Sequence, residues 1–167
     1  GINIPRQLSV VGFDDSPLAS RLWPSLTSVR RHTRDTGRIA AAMPGFVKTV
    51  RQWQKASGVG VEATTLVGFS QGAIMALEST QLADTIAAQV ISIAGRFAQP
   101  PKVRPLATVL HLIHGKEDAV VDPRHSIAAA DRLSLMGAHV DLNLLPEVGH
   151  TFDESVIDLV CAGLRKD

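Results

Sequence analysis

Gly68-Phe69-Ser70-Gln71-Gly72 is the stretch of this chain richest in chemical possibility. A serine hydroxyl acts as a nucleophile when it stands clear of its neighbours with a base in reach. The pattern G-x-S-x-G achieves this when it joins a strand to a helix. The strained turn lifts the hydroxyl off the sheet, and the glycines let the two backbones close up. Residues 64–68 read as a strand and 71–80 as a helix, which is that context. The helix N-terminus then sets the Gln71 N–H beside a developing oxyanion. The plainer reading is a strand-to-helix turn that uses Gly for positive φ.

Such a serine needs a base, and the base needs an orienting acid. His114-Gly115-Lys116-Glu117-Asp118 follows a predicted strand over 108–114, and Gly149-His150 follows one over 139–145. A parallel sheet gathers the ends of its strands on one edge, so Ser70, Asp118 and His150 should converge there. His150 would take the serine proton, and Asp118 would hold the imidazole tautomer. Asp118 could instead cap a turn, with Glu117 and Asp122 as rival acids. His150 could be a loop histidine before an acidic helix start. His111, His125 and His139 read as packing or surface residues. No pair of them has convincing metal-ligand spacing, so no metal is expected. Cys161 is alone in the run Val156, Ile157, Leu159, Val160 and reads as a buried thiol.

The elements that must position these residues alternate. Residues 8–13 form a short apolar run after Pro5 that ends at Asp14-Asp15, as a buried parallel strand would. Residues 26–29 suit another short strand. From about residue 32 the period turns helical, with Ile39, Met43, Phe46, Val50 and Trp53 on one face and Pro44 bending the helix before it ends near residue 56. Further strands are expected at 88–94, 108–114 and 139–145, with helices at 123–136 and 152–164. Strands and helices alternating at this spacing imply a mostly parallel sheet of about six strands covered on both faces, a three-layer α/β sandwich. The order 26–29, 8–13, 64–68, 88–94, 108–114, 139–145 is expected from right-handed crossovers together with the topology implied by the family resemblance set out below.

The 167 residues suffice for one domain. Hydrophobic residues at 45% and charged residues at 20% exclude a mainly disordered chain. A net charge of +1 gives no electrostatic case for nucleic acid. Residues 1–42 carry six Arg (6, 21, 30, 31, 34, 38) against three Asp, and the bland reading is a solvated helix face. No apolar run reaches the ~18 residues of a membrane-spanning helix, and no secretory leader opens the sequence. These features lead to an expected cytoplasmic protein that uses neither nucleic acid nor membrane. An exposed sheet edge could drive homodimer formation.

Residues 43–166 resemble the carboxylesterase/phospholipase branch of the α/β-hydrolases. The similarity lies in Met43-Pro44-Gly45-Phe46-Val47 through Trp53-Gln54-Lys55 and in the GFSQGAIMALES run over 68–79. It continues in Ile113-His114-Gly115 with Asp118, in Val120-Val121-Asp122, and in Gly149-His150. The resemblance implies a Ser70, Asp118 and His150 triad, small carboxylic esters or lysophospholipids as substrates, and no cofactor. That family opens with a strand whose His-Gly-rich loop gives the second oxyanion N–H. Here strand 8–13 stands at that place in chain order, which makes Phe13 the candidate second donor beside Gln71.

Residues 1–42 resemble a different family, the effector-binding domain of lactose-repressor-type regulators. The motifs are Leu8-Ser9-Val10-Val11-Gly12-Phe13-Asp14-Asp15, Pro17-Leu18-Ala19, Leu26-Thr27-Ser28-Val29-Arg30 and Gly37-Arg38-Ile39-Ala40-Ala41. By that resemblance Asp14 faces a sugar pocket. The two resemblances together lead to an expected engineered or recombined chimera, a single hybrid domain truncated relative to a whole hydrolase and joined near residues 41–43. Its triad would hydrolyse esters weakly or not at all, because Asp14 and Asp15 would stand near the oxyanion. A folded chimera without selected activity, or a remnant sugar-binding module, is the alternative.

Overall fold

The computed structural model describes residues 11–13, 27–29 and 36–164. In chain order the elements are β1 (Val11–Phe13), β2 (Thr27–Val29), α1 (Thr36–Ser57), β3 (Thr65–Phe69) and α2 (Gln71–Ser79). They continue as β4 (Gln89–Ile93), β5 (Val109–Gly115), α3 (Arg124–Leu135), β6 (Val140–Leu145) and α4 (Glu154–Gly163). A 3₁₀ turn, Val61–Ala63, which the sequence reading did not foresee, leads into β3.

Strands β3, β4, β5 and β6 form one parallel sheet in that order, which is the expected order. The two central strands are buried on both faces and read as nearly continuous apolar runs. Side chains alternate between two cores with period two. Val90, Leu110 and Leu112 point to the face covered by α2 and α3, where they meet Leu77, Ala129 and Leu133. Ile91, Ile93 and Ile113 point to the other face, against Val156 and Val160 of α4. Helices therefore cover both faces of the sheet.

The six expected strands divide into two sheets rather than one. β1 pairs in parallel with β2, as the expected order has it, yet among the described residues no strand hydrogen-bonds to the outer edge of β3. β1 lies instead against α2. A three-residue strand offers only a few ladder bonds, and those of β1 go to β2, which is just as short. Residues 8–10 of the expected first strand lie outside the described residues.

Helix α1 runs through Pro44 and across residues 41–43 without interruption. Of the helix expected over 32–56, residues 32–35 lie outside the described residues. Its apolar stripe is buried only at the N-terminal end, where Ile39, Ala42 and Met43 pack on Ile74 and Met75 of α2. Trp53, expected on the same buried face, is 38% exposed. Its neighbour Gln54 is buried instead, because Nε2 donates to Thr64 Oγ1 at 2.9 Å and to the Ile86 carbonyl at 2.8 Å. A polar anchor to the sheet has replaced apolar packing in the last turns.

Candidate active site

Ser70 sits between the end of β3 and the first residue of α2, with φ of +52° and ψ of −112°. A non-glycine residue in that region is strained and persists only where its surroundings hold it. Three features hold this one. The Ser70 N–H donates to the Ile93 carbonyl at 2.9 Å, and its own carbonyl accepts from Ile74 N–H at 3.1 Å. Gly68 supplies the third, since a Cβ there would collide with the backbone of Gly72 and Ala73. Strand and helix thus close up as the motif requires.

His150 follows β6 and faces Ser70. Its Nε2 lies 3.1 Å from Ser70 Oγ, and its Nδ1 lies 2.8 Å from Asp118 Oδ2. Asp118 lies in the loop after β5 and is 6% exposed. Its other oxygen, Oδ1, accepts from the Val120 and Val121 amides at 2.8 and 2.9 Å. Burial pushes the Asp118 carboxyl up. The Val121 amide, the bond and charge of His150 and the Val120 amide outweigh it and leave the group below its ordinary range. The three side chains form an ordered relay in which Asp118 fixes an Nδ1–H tautomer and Nε2 can accept the serine proton.

The rival acids are occupied elsewhere. Glu117 is exposed. Asp122 accepts from the Arg124 backbone N–H at 2.9 Å and pairs with the Arg124 guanidinium, which holds it down at about 2. Its place is the start of α3. His125 and His139 are exposed, while His111 is buried in β5 with Nδ1 3.7 Å from Asp141. Cys161 is half-buried rather than buried, because it stands beside the core stripe of α4 rather than on it. No group of three or more His, Cys, Asp or Glu among the described residues could hold a metal ion. No helix among them is long and apolar enough to cross a membrane.

Of the two expected oxyanion donors, Gln71 opens α2 directly after Ser70. Phe13 ends β1, which does not pair with β3, so strand pairing does not carry its N–H to the serine. Asp14 and Asp15 lie outside the described residues.

Two neighbours of the relay were not singled out in the sequence. Phe69 lays its ring against the His150 imidazole, with centroids 4.9 Å apart, and meets Phe152 edge-on at 6.3 Å. Phe69 and Phe152 are 37% and 45% exposed, so they form an apolar lip at the mouth of the site. Phe69 is the variable residue of G-x-S-x-G, which could have marked it. The second neighbour is His114, at the end of β5. It is buried, with Nδ1 2.7 Å from Ser126 Oγ and Nε2 2.9 Å from the Val121 carbonyl.

Comparison with known proteins bears on this arrangement. The Phospholipase/Carboxylesterase family model matches residues 15–166. Esterase YpfH of Escherichia coli (strain K12) is 44% identical over 147 residues, which cover 88% of this chain and 63% of that protein. This chain therefore spans less than two thirds of that relative's length. The crystal structure of esterase PE8 superposes with a TM-score of 0.69 at 31% identity, over 77% of this chain and 61% of that one. The carboxylesterase from Mesorhizobium loti shares the fold at 19% identity, with a TM-score of 0.72 over 95% of this chain and 88% of that one. With this match across nearly its whole length and helices on both faces of a parallel sheet, the chain belongs to the phospholipase/carboxylesterase family of α/β-hydrolases.

Proposed function

We propose that this chain hydrolyses small carboxylic esters through an acyl-enzyme on Ser70. The observation that carries the reading is the continuous relay Ser70–His150–Asp118 beside a strained elbow, with contacts of 3.1 and 2.8 Å. Ser70 Oγ attacks the ester carbonyl while His150 Nε2 takes its proton. The Gln71 N–H faces the oxyanion of the tetrahedral intermediate. His150 returns the proton to the leaving alcohol, and a water attacks the acyl-enzyme by the same route in reverse. Asp118 stays ionised and steadies the imidazolium. The esterase names of two relatives above 30% identity support an ester substrate, and the apolar lip of Phe69 and Phe152 suits its non-polar part. Treatment with a fluorophosphonate should label Ser70, and Ser70→Ala should abolish labelling.

Weak turnover belongs to the same proposal. With Gln71 as the one oxyanion donor identified among the described residues, a loss on the order of 10²–10³ in kcat is expected. The repressor-like reading of residues 1–42 also belongs here and rests on their sequence pattern. The family match begins at residue 15 and continues across 41–43, so it lends the proposed join no support. A chimera lacking activity would be favoured by absence of labelling in a cooperatively folded sample, and a sugar-binding remnant by sugar-dependent thermal stabilisation.

A further inference from the structure

We infer that His114 is a positioning residue for the acid of the triad, holding the loop that carries Asp118 and closing against its carboxylate. This inference rests on the triad reading above. Three of the groups around the Asp118 carboxylate are already accounted for: two amides on Oδ1 and His150 on Oδ2. The fourth is His114, whose Nε2 lies 3.3 Å from Oδ2 with both side chains wholly buried. Its proton can be placed from its neighbours. Nε2 faces a carbonyl, that of Val121 at 2.9 Å, and a carboxylate oxygen; both only accept, so Nε2 carries hydrogen. The N–H is directed at the Val121 carbonyl, and the ring edge stands beside Oδ2 without a hydrogen bond to it. On the far side Ser126 Oγ lies 2.7 Å from Nδ1 and 3.2 Å from the Gly95 carbonyl, and with Nδ1 bare the single hydroxyl hydrogen is donated to Nδ1. The ring is therefore pinned at both nitrogens, by α3 on one side and by the acid loop on the other.

Pinning matters because Asp118 stands in a loop rather than on a strand. A carboxylate with donors on Oδ1 alone can swing its other oxygen out of line with His150. The His114 ring edge beside Oδ2 limits that swing, and its N–H holds the Val121 carbonyl of the same loop; the ring comes from β5, one of the two central strands of the sheet. The strand end transmits its rigidity to the acid through an i,i+4 contact. Among the described residues, His114 and His150 are the titratable groups in contact with that carboxylate.

The test compares two variants that keep different ends of the ring. His114→Asn retains a polar group toward Ser126 and cannot reach Asp118, whereas His114→Gln restores a donor on the Asp118 side. The readout is the second-order rate of Ser70 labelling by a fluorophosphonate, alongside the unfolding midpoint of each variant. His114→Asn should label about tenfold more slowly, the upper end for a hydrogen bond between neutral groups, and His114→Gln should recover most of the rate. Wild-type rates in His114→Asn, or equal slowing in both variants, would overturn the positioning role while leaving the triad standing. Absence of labelling in the wild-type protein would instead overturn the triad reading, and this inference with it. Should His114→Asn not fold, side-chain ¹⁵N NMR of the wild-type histidines decides: hydrogen on His114 Nε2 is expected, and a bare Nε2 with hydrogen on Nδ1 contradicts the inference.

Discussion

Asp118 gives the site a pH signature that can be measured without substrate. Its carboxyl is held below its ordinary value of 3.8, so the folded state binds that proton less readily than the unfolded chain. For such a group the stabilisation is fully present above the unfolded value and is lost as pH falls through the folded one. Denaturant unfolding should therefore show a plateau above about pH 5 and a decline below about pH 4, and Asp118→Asn should flatten part of that decline. An Asp118→Asn profile parallel to wild type would show that the carboxylate is not coupled to folding. The same substitution should lower ester turnover by about 10³–10⁴, because an amide can favour the wrong His150 tautomer. Kcat/KM of both proteins on an activated acetyl ester measures this. The relay was legible in the sequence because its three residues follow three strands of one parallel sheet. His114 stood in the same quoted motif and went unassigned. Its partners, Ser126 and the Val121 carbonyl, come from elements whose approach no local spacing reveals.

Elements were read most accurately where both faces are buried. β4 and β5 carry nearly continuous apolar runs, and their expected limits differ from the observed ones by a residue. Helix α1 was harder, since its apolar stripe predicts a buried Trp53 where Gln54 is tied to Thr64 and Ile86 instead. Hydrogen bonds to loops leave no periodic trace. Two substitutions test the element boundaries that matter to the site. Gly68→Ala would drive a methyl group into the Gly72 backbone, so loss of cooperative folding, or destabilisation well above 2 kcal/mol, is expected from urea titration. Asp153 caps α4, its Oδ1 accepting from the Val156 N–H at 3.1 Å. Asp153→Ala should cost about 1 kcal/mol by the same method while Ser70 labelling persists.

Over the whole molecule the sheet order β3-β4-β5-β6 followed from the topology of the hydrolases that the motifs resemble and from right-handed crossovers. The place of β1 did not, because a buried strand can be predicted without knowing which edge accepts it. Amide exchange should be slowest in β4 and β5, which have a hydrogen-bonded neighbour on each side. Equal protection of β3 and β4 would point to a partner on the outer edge of β3. The central claim is that a chain spanning 63% of its E. coli relative still assembles a working nucleophile. Mass spectrometry of fluorophosphonate-treated protein tests it most directly. The account predicts one adduct, on the peptide containing Ser70, absent in Ser70→Ala and strongly reduced in His150→Ala. A cooperatively folded wild-type sample that takes up no probe at Ser70 would contradict it.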